Sequence, residues 1–134
     1  MNPIKGVTEK KIWDTIADVM ETQNLKIRMK VWIEGETGEP LFGEGQIYIL
    51  EAIEKEGSIN AAAKAMGMGY RSMWGRLKKI EQRIGIPLLV RRKGGACGGE
   101  SVLTPEAKRM IEKFRQLQQN LNDAAEKIRH QIYT

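Results

Sequence analysis

One cysteine and one histidine in 134 residues exclude several kinds of chemistry. Cys97 alone cannot build an intramolecular disulfide framework or a cysteine-based zinc site, and it fits a reducing compartment. His130 has no nearby cysteine or paired acid with which to form a triad or a metal site, so it is expected on the surface. No catalytic residue, metal ligand or cofactor is therefore expected. Long apolar runs are also missing: no stretch approaches the roughly 18 to 20 residues that cross a bilayer. The start, Met1-Asn2-Pro3-Ile4-Lys5-Gly6, opens no signal peptide, so the expectation is a soluble cytoplasmic protein without a membrane partner. The length admits one domain with a modest core plus arms or an extended helix, and no second ligand-binding domain.

Acid is scarce in one place. Residues 71–93 hold eight basic side chains (Arg71, Arg76, Lys78, Lys79, Arg83, Arg91, Arg92, Lys93) against one acid, Glu81, whereas residues 1–56 carry seven bases and eleven acids. The overall charge of +5 is thus a local footprint, as a phosphate-binding surface requires.

What is present is a sequence of punctuated helices. Ile12, Trp13, Ile16, Ala17, Val19 and Met20 recur at helical spacing over 8–22, with Thr8 as cap. From Leu25 to Ile33 the apolar residues alternate strictly with Lys26, Arg28, Lys30 and Trp32, which predicts a half-buried strand. Its partner is open among a return strand at Leu41-Phe42, the wing described below, and another subunit. A helix is expected over 44–56, with Ile47, Leu50, Ile53 and Ala52 inward and Gly57 ending it. Ser58 caps a short alanine-rich helix (Ala61, Ala62, Ala63, Ala65), and Gly67 to Gly69 make the tight turn into a basic helix from about Tyr70 to Ile84.

At 100° per residue, Met73, Leu77, Ile80 and Ile84 of that basic helix share one stripe and face inward. Arg71, Gly75, Lys78 and Gln82 project outward, Lys79 lies opposite the core, and Tyr70 and Trp74 sit on the border. Arg71, in the first turn, is the best candidate for contact with a base edge. Gly75 is unexpected in a helix interior and would permit close backbone approach. Trp74 reads equally as a core anchor and as a base-stacking residue.

Leu88-Leu89-Val90 and Ser101-Val102-Leu103 read as two strands around a loop with Arg92, Lys93, Gly94, Gly95, Gly98 and Gly99. A glycine-rich loop can cradle a nucleotide phosphate, but that needs a strand-to-helix context, and this loop joins strands. It reads as a wing whose backbone amides and charges approach phosphates. Ser58, Asn60, Tyr70, Arg71, Ser72, Trp74, Gly75, Lys78, Lys79, Arg92, Lys93, Gly94 and Gly95 are accordingly the expected DNA-binding residues. After cap Thr104 and Pro105, apolar residues recur at Ala107, Met110, Phe114, Leu117, Leu121, Ala124 and Ile128, in alternating steps of three and four. A helix of about 40 Å with such a seam calls for a second helix, from another copy of the chain or, less favoured, from the chain's own 8–22 segment. Met110, Phe114, Leu117, Leu121, Ala124 and Ile128 are the expected dimerisation residues.

Gly57-Ser58-Ile59, Ala62-Ala63-Lys64, Gly67, Tyr70-Arg71-Ser72 and Trp74, followed by Leu89-Val90, Gly94-Gly95, Gly98-Gly99 and Val102-Leu103-Thr104, resemble the DNA-binding domain of the ModE family of molybdate-responsive repressors. The match covers about residues 41–130. More distantly the chain is similar to the LysR-type winged helix, which shares Gly57-Ser58 and the alanine-rich helix. Gly69 replaces the family's usual serine cap, Glu81 a usual asparagine, and Ala96, Cys97 and Glu100 interrupt the glycine run. The resemblance implies a homodimer joined through the last helix and reading an inverted repeat in double-stranded DNA. Family members that respond to molybdate bind it in a separate carboxyl-terminal domain, which is absent up to Thr134, so molybdate sensing is not expected.

The expected fold is mainly α with small β: an N-terminal helix and strand extension (1–40), a winged helix-turn-helix (41–104) and a long C-terminal dimerisation helix (105–134). The expected function is a sequence-specific transcriptional regulator. Two alternatives are an architectural protein binding DNA non-specifically and an adaptor docking a separate effector subunit.

Overall fold

The computed structural model describes residues 8–22, 26–92 and 99–133, without the side chains of 19–22 and 92. Their elements run α1 (Glu9–Thr22), β1 (Trp32–Glu34), β2 (Pro40–Gly43), α2 (Glu44–Glu56), α3 (Ile59–Ala65), α4 (Tyr70–Ile84), β3 (Leu89–Arg92), β4 (Glu100–Leu103) and α5 (Pro105–Tyr133). The chain divides into two compact units, one of residues 30–118 and one of residues 1–29 with 119–134.

In the larger unit each helix starts and stops where local chemistry dictates. The Gln46 side chain accepts the Gly43 N–H at 2.8 Å at the start of α2. Gly43 is required for space: a Cβ there would lie 3.1 Å from Trp32 Cβ and 3.3 Å from the Val31 carbonyl oxygen. At the other end Gly57 adopts φ 84°, its N–H bonds to the Ile53 carbonyl, and its own carbonyl accepts the Ser101 N–H at 3.0 Å. One left-handed residue thereby closes α2 and pins β4 to it. The Ser58 hydroxyl accepts the Ala61 N–H at 3.0 Å and caps α3. Ala62 and Ala63 are buried, so α3 can approach its neighbours closely.

The core joins Ile49, Leu50 and Ile53 of α2 to Ile59, Ala62 and Ala63 of α3, Met73, Leu77 and Ile80 of α4, and Leu88, Leu103 and Ala107. The inward stripe expected for α4 is found, with Ile84 half-buried. In α2, Ile49 is buried as well as Ile47, Leu50 and Ile53, because this helix contacts α3 and α4 and also β2 and β4. A single-face pattern underestimates a helix enclosed on more than one side.

The expected strand from Leu25 to Ile33 is corrected by the structure. Among residues 26–31 there is no strand, and only Trp32–Glu34 pairs, antiparallel to β2, with Ile33 opposite Phe42. Leu25 lies outside the described residues. A return strand of four residues whose register shifts between Ile33 and Glu34 offers a ladder to only three residues. Ile27 and Met29, which alternation would bury, are exposed.

Strands β3 and β4 are antiparallel, pairing Leu89 with Leu103, Val90 with Val102, Arg91 with Ser101 and Arg92 with Glu100. Thr104 fixes their base: its hydroxyl donates to the Pro87 carbonyl at 2.9 Å and accepts the Ala107 N–H at 3.2 Å, capping α5. Phe114 of α5 is buried, its ring centroid 5.8 Å from that of Phe42. Beside it Arg115 bonds Glu51, pairs with Glu44 at 3.5 Å, and stands over the Tyr48 ring at 5.0 Å. Both aromatic and ionic contacts thus tie the first turns of α5 to the rest of this unit.

In the smaller unit the Thr8 hydroxyl accepts the Lys11 N–H at 3.3 Å, as expected of the cap of α1. Trp13 and Ile16 are exposed, as are Ile128 and Ile132 of α5, while Leu121 is half-buried.

Candidate nucleic-acid interface

Burying Met73, Leu77 and Ile80 turns the opposite side of α4 toward solvent. Tyr70, Arg71, Ser72 and Lys79 are exposed, Trp74 is 37% exposed, and Gly75 and Lys78 are half-buried. A Cβ at Gly75 would meet nothing within 4 Å, so the helix backbone is uncovered at that point. No side chain caps α4 at Gly69, leaving first-turn amides and the positive end of the helix dipole toward the same end as Tyr70 and Arg71.

Of the two readings of Trp74, the structure does not support the core anchor, since the residue is 37% exposed. It is not sealed in the core; instead Lys78 Nζ lies 5.3 Å from its ring centroid and Arg91 Cζ lies 5.3 Å from it. One helical turn separates Trp74 from Lys78, whereas Arg91 comes from β3. The ring therefore joins the outward face of α4 to β3. Arg91 was not among the expected contacts, although it belongs to the basic block; its signal was position on a strand leading into the glycine loop.

The other expected residues are placed as follows. Ser58 is half-buried and its hydroxyl is engaged as the α3 cap, and Asn60 is exposed in the first turn of α3. Arg92 ends β3 opposite Glu100, and its side chain is not described. Lys93, Gly94 and Gly95 lie outside the described residues, as does Cys97. Of the α5 seam, Phe114 is buried in the chain's own core and Met110 packs against it. Leu117, Ala124 and Ile128 are exposed and Leu121 half-buried, and Ile132, beyond the expected seam, is 65% exposed.

Among the described residues no three His, Cys, Asp or Glu side chains group as a metal site, and no helix is long and apolar enough to cross a membrane. His130 is exposed.

Residues 45–108 match the model of the bacterial regulatory helix-turn-helix proteins of the LysR family. The chain is 34% identical over 87 residues to the molybdenum transport protein ModE of Azotobacter vinelandii, covering 65% of this chain and 32% of that protein. It is 35% identical over 74 residues to the DNA-binding transcriptional dual regulator ModE of Escherichia coli K12, covering 55% of this chain and 28% of that protein. The chain thus spans about a third of the length of the curated relatives it matches. Among solved structures, the DNA-binding domain of CbnR in complex with DNA aligns at a TM-score of 0.47 and 21% identity, over 64% of this chain and 93% of that one. The segment from α2 into the start of α5 is thus similar to the regulatory helix-turn-helix of the LysR family and to ModE proteins.

Proposed function

We propose that this chain is a sequence-specific DNA-binding regulator of transcription, acting in the cytoplasm as a homodimer on an inverted repeat. The observation that carries the reading is the outward face of α4: exposed, basic, continuous with β3, and part of a segment matching a bacterial regulatory helix-turn-helix family. In this reading α4 enters the major groove, with Tyr70, Arg71, Ser72 and Gly75 nearest the bases and Lys78 and Lys79 toward the backbone. Asn60 and the first turn of α3 approach flanking phosphates. Arg92, Lys93, Gly94 and Gly95 form the part of the wing that grips the adjoining backbone.

Dimerisation is read from α5. Leu117, Ala124, Ile128 and Ile132 are exposed along one helix in the isolated chain, a surface that a second copy would cover. Two recognition helices related by a two-fold axis would then read half-sites separated by about one helical turn or a multiple of it.

The test is in vitro selection of bound DNA from a random pool, followed by titration of the selected site against random duplex at about 150 mM salt, where specific regulators bind at least about 1,000-fold more tightly. Enrichment of a palindromic sequence is the expected result. Equal affinity for both DNAs would remove the regulator reading and leave an architectural protein. Absence of binding would remove both.

A further inference from the structure

Three aromatic–cation contacts are present among the described residues, and they fall into two kinds. Arg115 stands over Tyr48 with two carboxylates, Glu44 and Glu51, on its guanidinium, so its charge is neutralised inside the protein. Lys78 and Arg91 share one ring, Trp74, and among the described residues neither forms an ion pair with any carboxylate. Glu81, one turn beyond Lys78 on the same helix, is paired with neither. Two positive groups have been brought to one indole and, among the described residues, left without a counter-charge.

That arrangement has an electrostatic consequence. The indole attracts each cation through its quadrupole, while the cations repel one another. An anion placed beside both relieves the repulsion and gains two charge-assisted contacts. The indole N–H of Trp74 has no hydrogen-bond partner among the described residues and supplies a further donor. Lys78 is half-buried and Arg91, although exposed, springs from a paired strand, so the backbone positions that carry both cations are set before any ligand arrives.

We propose that Trp74 is a positioning residue: its ring sets Lys78 of the recognition helix and Arg91 of the wing strand as one clamp for a single phosphate of the DNA backbone. The clamp rests on the DNA-binding reading above and deepens it. It fixes where the wing strand stands against the recognition helix, so that a phosphate between them registers α4 in the groove.

Affinity for the selected duplex is measured from about 50 to 300 mM salt, because each phosphate neutralised contributes about −0.9 to the slope of log affinity against log salt. For Trp74→Leu we expect affinity about tenfold weaker at 150 mM salt and a slope shallower by about one, with Trp74→Phe, which keeps a ring face, within about threefold of the parent. A slope unchanged in Trp74→Leu would overturn the clamp, as would equal loss in the leucine and phenylalanine variants. If thermal melting shows that Trp74→Leu is unfolded, Lys78→Gln and Arg91→Gln decide. The double variant should flatten the slope by about one and each single variant by no more than that, because one phosphate is shared. Additive loss of about two would mean separate phosphates and no clamp. Failure of the parent protein to bind DNA is a different result and would overturn the function proposed above.

Discussion

Gly75 stands six residues into α4, a fifteen-residue helix, without the positive φ that would demand glycine. Its helical backbone leaves open space where a side chain would begin: a Cβ would find no atom within 4 Å. On stability alone, Gly75→Ala should therefore help. Glycine is about 1 kcal/mol worse than alanine in a helix interior, and no clash offsets that difference here. For a chain of this size the gain corresponds to a rise of about 3 to 6 °C in the thermal midpoint, read by circular dichroism. DNA binding should move the other way. The methyl group would project from the face that carries Arg71 and Lys78, at the point where the helix backbone is uncovered. If that backbone approaches the floor of the groove, one added carbon holds the helix away and loosens its hydrogen bonds to base edges. Loss of one good pair of such bonds costs about 1 to 3 kcal/mol, a weakening of about 5- to 150-fold for the selected site. Random duplex, held by phosphates, should lose much less. A variant that is more stable and binds the selected site as tightly as the parent would refute the close approach. A variant less stable than the parent would refute the account of Gly75 as an open helix-interior position.

Arg71→Ala should relax base preference at one position per half-site, at about 1 to 3 kcal/mol, while binding to random duplex changes little; repeating the in vitro selection with the variant reads this directly. Ile128→Lys should shift the protein from dimer to monomer in sedimentation equilibrium and weaken binding to the full palindrome more than to a half-site, since its target is the exposed part of α5. Glu44 has its carboxyl held below the ordinary 4.5, first by the Tyr48 hydroxyl and then by Gln118 and Arg115. A carboxyl lowered on folding contributes stability that is fully present above its unfolded value and is lost as pH falls through the folded one. Between about pH 5 and pH 3 the thermal midpoint of Glu44→Gln should accordingly fall less steeply than that of the parent, and parallel acid curves would contradict the assignment.

Much of the fold could be read from local rules because its punctuation is local. Gly57, Ser58, Thr104 and Pro105 act through their own backbone neighbourhoods, and the end of α2 at Glu56 and the starts of α3 and α5 follow from them. The outward face of α4 was legible for the same reason: a 3.6-residue period needs no knowledge of what lies opposite. The stretch before β1 was not. Alternation from Leu25 to Ile33 states which side of a strand would be apolar, but a ladder exists only where a partner supplies hydrogen bonds. The length and irregularity of β2 set that limit, and neither is encoded in the alternating segment.

The α5 seam and the Trp74 cluster show what periodicity leaves undetermined. Ala107, Phe114 and Ile128 occupy equivalent positions in one pattern, yet the first two are buried within the chain and Ile128 is exposed. The pattern specifies a stripe; what covers each part depends on tertiary neighbours such as Phe42, whose ring meets Phe114 across more than seventy residues. Sequence spacing alone would have assigned the whole stripe to a second helix. With the first turns already packed, only the portion from Leu117 onward is left for the proposed dimer to cover. Arg91 is hidden from sequence by a similar non-locality. Its approach to Trp74 requires α4 to pack through Met73 and Leu77 and β3 to register against β4, so that two cations from different elements converge on one ring. Sequence could place both in a basic block, but their meeting is a product of packing, and a shared phosphate can act only where packing has brought them together.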